Sequence, residues 1–223
     1  MKLPDNFTDD QINEFNNRQL FVLDAMPDSW LSYAEDLEQA AEALWTDSGS
    51  GFKIEAETKL DDSLVMKKSS AHSRSYILLV GFAFENVLKG LIIASDAELI
   101  SSGNLDKSLQ NHDLLDLAGR VDGLVLSNDE ERILRICQDA IPYWGRYPIP
   151  LKYQDLKPKE AANNEFHDCS HGLLFRLCKW LHELLKDGWD SGVGEKVKEM
   201  RNIRYGDTID IKKKLPWANN DKS

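Results

Sequence analysis

The sequence predicts an all-α protein, a single bundle of about six or seven helices with an extended C-terminal tail. Apolar residues recur at three- and four-residue intervals over most of the chain, which is the spacing of one helix face. Helix-capping patterns open two of these segments, and convincing strand patterns are few. With 42% hydrophobic residues among 223, the chain has enough apolar surface for one sizeable core.

We assign residues 1–206 to one helical domain and residues 207–223 to a basic, extended tail. The domain comprises acidic N-terminal helices within residues 1–47 and a larger core over residues 59–206. Residues 46–58 are rich in glycine, serine and threonine, which predicts a loop inside the domain and not a boundary between domains.

A capping box and an apolar stripe predict the two N-terminal helices. Thr8 offers a side-chain acceptor at a helix start, and Gln11, three residues later, can bond back to it. A helix is therefore expected over residues 8–24. Pro27 then interrupts the chain, and the apolar spacing predicts a second helix over residues 28–45.

The second helix is predicted to keep one acidic face in solvent. Glu35, Glu38 and Glu42 lie opposite its apolar stripe at helical spacing. They belong to a strongly acidic segment, since residues 1–47 carry two basic and eleven acidic side chains. We expect the acidic N-terminal helices to suit a basic protein partner.

The third helix is predicted to begin near Lys59 or Ser69 and to reach Ala94. Apolar residues cover most of its circumference, as in a central buried helix. Glu85 and Lys89 are four residues apart and are expected to pair. Because charges inside an apolar stretch are costly in lipid, we expect a core helix and no membrane partner.

Four further helices complete the predicted bundle, over residues 112–121, 127–143, 158–186 and 194–204. The first four residues of the second of these form another capping box. The stretch 145–150 contains glycine and two prolines and breaks the chain before the third.

The formal net charge of −11 disfavours general attraction to nucleic acid or to an anionic membrane. Residues 195–223 differ from the rest, with eight basic and five acidic side chains. A phosphate-bearing partner such as RNA or a nucleotide is therefore expected at the C-terminal end.

The three cysteines, Cys137, Cys169 and Cys178, are an odd and sparse set, typical of reduced thiols. The first ten residues have no apolar signal core. We expect a cytoplasmic protein.

Several common chemistries have no match in the sequence. A nucleophile elbow, a P-loop and the H-E-x-x-H zinc motif are all missing. A series of histidines and cysteines between His167 and His182 shares one helix face but spans about 22 Å along the axis. One ion cannot reach ligands that far apart, so we expect no metal ion and no cofactor.

Three short segments together resemble the HEPN superfamily of small helical domains, over roughly residues 60–206. They are Phe82-Ala-Phe-Glu-Asn-Val-Leu-Lys-Gly90, Asn111-His-Asp-Leu-Leu and Trp144-Gly-Arg-Tyr-Pro148. The resemblance implies a HEPN-like helical core and a homodimer. Active members of the superfamily are typically metal-independent RNases, in which Arg, four to six residues and His form a composite site at the dimer interface.

The one match to that motif is Arg176 and His182, which are the candidate catalytic residues. A guanidinium binds phosphate in bidentate fashion, and an imidazole moves protons near neutral pH. The polar residue that often follows the arginine is missing, because Leu177 belongs to the apolar stripe.

A second candidate site lies in the basic segment and comprises Arg201, Asn202, Arg204 and Tyr205. The position of the histidine is taken by Tyr205 or Gly206, and a tyrosine with an ordinary pKa of about 10 is a poor base at pH 7. The resemblance here favours phosphate or RNA binding over catalysis. The alternative is a solvated helix end whose arginines favour the helix dipole.

Arg146 is a further candidate for phosphate or partner binding, or else pairs with an acidic residue in a turn. Two hypotheses about function follow. The first is a non-catalytic, HEPN-like protein that binds protein, RNA or a nucleotide, in a defence or toxin–antitoxin setting. The alternative is a metal-independent endoribonuclease with an Arg/His or Arg/Tyr composite site in a homodimer.

Overall fold

The computed structural model describes residues 8–48, 52–58, 61, 63–70, 72–144, 152, 154 and 162–189. These residues form six α-helices and one two-stranded antiparallel sheet. In chain order the elements are α1 (Asp9–Asp24), α2 (Pro27–Ser48), β1 (Phe52–Thr58), β2 (Leu64–Ser70), α3 (Ser73–Ser95), α4 (Leu114–Gly119), α5 (Asn128–Asp139) and α6 (Asn164–Leu185). The protein is mostly helical, as predicted. The expected helix at 194–204 and the tail at 207–223 lie outside the described residues.

Local hydrogen bonding explains where the first two helices begin. The Thr8 hydroxyl accepts from the Gln11 amide, and the Gln11 side chain accepts from the Thr8 amide, so the predicted capping box is confirmed. Pro27 opens α2, because a proline in the first turn needs no hydrogen-bonded N–H. The chain therefore turns only at residues 25 and 26 between the two helices.

The predictions for residues 46–69 were wrong in part, because a β-hairpin occupies the middle of this segment. Strand β1 pairs with β2 in antiparallel register, from Phe52 opposite Ser70 to Thr58 opposite Leu64. Helix α3 consequently begins at Ser73, later than either predicted start. The sequence of β1 alternates apolar and charged residues, which is the two-residue period of a strand, but the glycine- and serine-rich flank favoured a loop.

Helix α3 is the predicted central helix. Fifteen of its residues are buried, and it packs along α2 and also contacts α4, α5 and α6. Among the described residues, α3 is the one helix that is both long enough and apolar enough to cross a bilayer. However, 72% of its most apolar stretch is buried inside the protein. Burial to this extent is typical of a core helix.

Side-chain caps determine where α4, α5 and α6 begin. Asp113 accepts from the backbone amides of Leu115 and Asp116 at the start of α4, which shortens the helix predicted over residues 112–121. The capping box that opens α5 is confirmed, with Ser127 and Glu130 bonded reciprocally. A single π-helical turn extends α5 to Trp144, and the Asn163 side chain caps α6.

Candidate functional site

Helices α2 and α6 meet along a row of glutamate–histidine pairs, which we call the α2–α6 seam. Its members are Glu35, Glu38 and Glu42 of α2 and His167, His171 and His182 of α6. The pairing of early α2 residues with late α6 residues shows that the helices run in opposite directions. The expectation that the glutamates form a solvated face was wrong in part, because these side chains are partly exposed but each contacts an imidazole of α6.

The pairs are close enough for charge-assisted hydrogen bonds. His182 Nε2 lies 2.8 Å from Glu35 Oε1, and His171 Nδ1 lies 3.1 Å from Glu38 Oε1. Glu42 is shared, since it also lies 3.8 Å from His171 Nδ1. Burial raises the pKa of Glu38 more than His171 lowers it.

His167 is the most enclosed of the three histidines, with 18% of its side chain exposed. Nε2 lies 3.1 Å from both carboxylate oxygens of Glu42, and Nδ1 lies 3.1 Å from Asp168 Oδ1. Trp45 stacks on the ring at a centroid distance of 4.6 Å. Burial lowers the pKa of His167, but the hydrogen bonds to Glu42 and Asp168 outweigh it and raise the pKa above its usual value.

A second charged cluster, the Glu85 triad, joins the buried Glu85 and Lys89 of α3 to the exposed His112. Lys89 Nζ donates to Glu85 Oε1 at 2.6 Å, which confirms the predicted pair. His112 Nδ1 lies 2.9 Å from the other oxygen, Glu85 Oε2. Glu85 and Lys89 are only 8% and 4% exposed, and Lys89 Nζ lies 5.9 Å from the centre of the Trp30 ring.

The triad links two segments that are distant in the chain, residues 82–90 and 111–115. The Asn111 side chain accepts from the Asp113 amide and donates to Asp116 Oδ2, which orders the backbone on either side of His112. His112 is thereby held against Glu85, 27 residues earlier in the chain. This contact could not be predicted from the sequence, because no repeating pattern of residues connects His112 with Glu85.

Arg176 and His182 point to different neighbours. Arg176 Nη2 lies 2.7 Å from Glu130 Oε1 at the start of α5, and Nη1 donates to the Val125 carbonyl oxygen. Burial raises the pKa of Glu130, but the hydrogen bonds from Ser127 and Arg176 outweigh burial and hold this pKa below its usual range. His182 instead contacts Glu35 of α2. Within one chain, the structure therefore does not bring these two candidate catalytic residues together.

The remaining candidates lie outside the described residues. They are Arg146, Arg201, Asn202, Arg204 and Tyr205. Their roles in binding phosphate or RNA stay predictions.

The three thiols are free and are poorly suited to nucleophilic chemistry. Burial raises the pKa of Cys137 far above neutrality and that of Cys178 to about 12. The pKa of Cys169 is raised by burial and by the neighbouring acids Glu130 and Asp129. All three are thus neutral thiols at pH 7. Within the described ranges, no group of three or more His, Cys, Asp or Glu side chains is arranged to hold a metal ion.

Comparison of this chain with protein-family models, with curated proteins and with solved structures found no match.

Proposed function

We propose that this protein is a HEPN-like helical protein that acts by binding and not by cleaving RNA. Its partners are a basic protein at the acidic N-terminal helices, and RNA or a nucleotide at the basic C-terminal segment. It works in the cytoplasm as a homodimer, in a toxin–antitoxin or antiphage-defence setting, as the resemblance implies. One observation carries the non-catalytic part of the proposal. Arg176 and His182 contact glutamates on different neighbours of α6.

The geometry of α6 supports this proposal. Six residues of α-helix rotate the chain so that the two side chains lie about 120° apart around the axis. A cleaving site within one chain needs the guanidinium and the imidazole on the same phosphodiester, because misplacement by about 1 Å can lower the rate a hundredfold. In a composite site across a homodimer, each of the two side chains would first have to leave the glutamate that it contacts. Each side chain is also occupied by a carboxylate of its own chain, which a phosphate has to displace.

Purified protein incubated with structured RNA in EDTA is expected to show no cleavage above background. The Arg176→Ala and His182→Ala variants should be indistinguishable from wild type, since neither residue lies in an assembled site. Denaturing gel electrophoresis measures this, and Arg135→Ala supplies a control arginine that is exposed on α5.

Cleavage by wild type that either variant abolishes, while Arg135→Ala retains it, contradicts the proposal and supports the endoribonuclease alternative. If Arg201→Ala abolishes the cleavage and His182→Ala retains it, the composite Arg/Tyr site is the active one.

The N-terminal helices offer exposed acidic side chains outside the α2–α6 seam. Asp9, Asp10 and Asp36 are exposed, whereas the glutamates of the α2–α6 seam already contact histidines. Exposed charges steer association with an oppositely charged surface and lose strength as salt rises. The partner surface is therefore assigned to these aspartates and not to the seam.

Neutralising this surface is expected to weaken partner binding. The triple variant Asp9→Asn/Asp10→Asn/Asp36→Asn should retain less of a stoichiometric partner in affinity capture, and the wild-type complex should weaken as salt is raised. The matched control is Asp122→Asn/Glu183→Gln/Asp187→Asn, which removes three exposed acids elsewhere. Equal loss in both variants, or a complex insensitive to salt, contradicts an acidic docking surface on α1 and α2.

A further inference from the structure

The hydrogen-bonding pattern of His167 is one that a neutral imidazole cannot satisfy. A neutral ring has one N–H and one lone pair, whereas both nitrogens of His167 face carboxylate oxygens at 3.1 Å. In the neutral form one nitrogen lone pair therefore faces an acceptor. Only the imidazolium donates to Glu42 of α2 and to Asp168 of α6 at the same time.

The surroundings of His167 favour the same charged form. Trp45 stacks on one side, and an aromatic face attracts a cation. Its other ionisable contacts in the described structure are His171, whose ring is parallel at 6.0 Å, and Tyr76 of α3, at 6.0 Å. The Tyr76 hydroxyl lies 3.3 Å from Ser170 Oγ, and burial raises the pKa of Tyr76, so this neighbour stays neutral.

The other two histidines of the seam also contact carboxylates of α2. His171 faces Glu38 and, at longer range, Glu42, while His182 faces Glu35. Each carboxylate is a better partner for an imidazolium than for a neutral ring.

We propose that the α2–α6 seam is a pH-responsive clasp, closed while His167 carries a proton on both nitrogens and loosened when it loses one. The clasp depends on His167 because its Nε2 bonds Glu42 across the seam while its Nδ1 bonds Asp168 on its own helix. The rest of α2 stays attached to α3 through buried residues such as Leu31, Ala34 and Ala41. Loosening therefore opens the edge between α2 and α6 and leaves the bundle folded.

The direction of the response follows from linkage. The pKa of His167 is raised in the folded protein, so protonated His167 stabilises the folded state. This stabilisation is complete below the unfolded-state pKa of about 6.5 and is lost as pH rises through the folded-state pKa. The clasp is therefore closed in mild acid and opens toward alkaline pH.

Two measurements on the full chain test the proposal. NMR titration of the histidine ring protons should give His167 a midpoint above 6.5. The comparison residue is His72, an exposed histidine 3.7 Å from Asp47. Glu42→Gln should lower the midpoint of His167 and leave that of His72 unchanged. Between pH 6 and 9, the melting temperature of wild type should fall by about 2–4 °C more than that of His167→Gln, with His72→Gln behaving like wild type.

A His167 midpoint at or below 6.5, or equal pH profiles for wild type and His167→Gln, overturns the clasp. A further measurement with added zinc distinguishes protonation of the seam from metal binding. If added Zn²⁺ raises the melting temperature and removes the His167 titration, with reversal by EDTA, the seam is a metal site and the clasp is overturned. The NMR titration is made on wild type, so it decides the question even if His167→Gln folds poorly.

Discussion

Replacing Glu85 with alanine is expected to lower the free energy of unfolding by about 3–5 kcal/mol. The substitution removes the carboxylate that accepts from Lys89 and leaves a buried ammonium group, 4% exposed, without its partner. It also releases His112, so the segment that opens α4 loses its tether to α3. Urea denaturation followed by circular dichroism measures the change.

Two controls separate the effect of the Glu85 triad from a general effect of removing a glutamate. Glu98→Ala removes an exposed acid just after α3 and should change the unfolding free energy by less than about 0.5 kcal/mol. The double variant Glu85→Met/Lys89→Met replaces both charges by apolar side chains and should be close to wild type or more stable. A loss below about 1 kcal/mol for Glu85→Ala contradicts the view that Lys89 depends on this carboxylate.

Gly90→Leu is expected to lower the free energy of unfolding by about 1–3 kcal/mol, because it forces α3 away from two neighbouring helices. A Cβ atom added at Gly90 lies 2.7 Å from Leu181 Cδ2 of α6 and 3.1 Å from Trp30 Cβ of α2. Leu181 is fully buried, so its side chain has little free space into which to move. Thermal and urea unfolding both report the loss.

Gly172→Leu is the matched control for this prediction. It makes the same substitution inside a helix, at a position on α6 where an added Cβ meets nothing within 4 Å. Leucine is a better helix former than glycine, so this variant should gain up to about 1 kcal/mol. Equal effects at the two positions contradict a close approach of helices at Gly90.

Features set by neighbouring residues could be predicted. The capping boxes at Thr8 and Ser127 and the Glu85–Lys89 pair each join residues three or four apart, and all three are confirmed. A helix brings such residues together whatever the rest of the chain does. The burial of α3 was equally readable, because apolar residues around a whole helix leave no face for water.

The hairpin was not predicted, because it depends on residues that are not close neighbours in the sequence. Strand pairing depends on a partner segment, and the alternation in β1 is short beside the glycine and serine residues that precede it. The glutamate face of α2 was likewise assigned to solvent, although α6 carries histidines at a complementary helical spacing. Matching the acidic face of one helix to the imidazole face of another could have suggested the seam.

By itself, the sequence determined that this protein is a mostly helical chain with a central buried helix, defined helix starts and an internal Glu85–Lys89 pair. Only the tertiary structure decided which side chains meet across helices. It pairs His112 with Glu85, turns Arg176 and His182 toward different neighbours, and faces three histidines with three glutamates. The physical reason is range: backbone hydrogen bonds and caps act within one turn, whereas the relative rotation and direction of packed helices depend on the whole core.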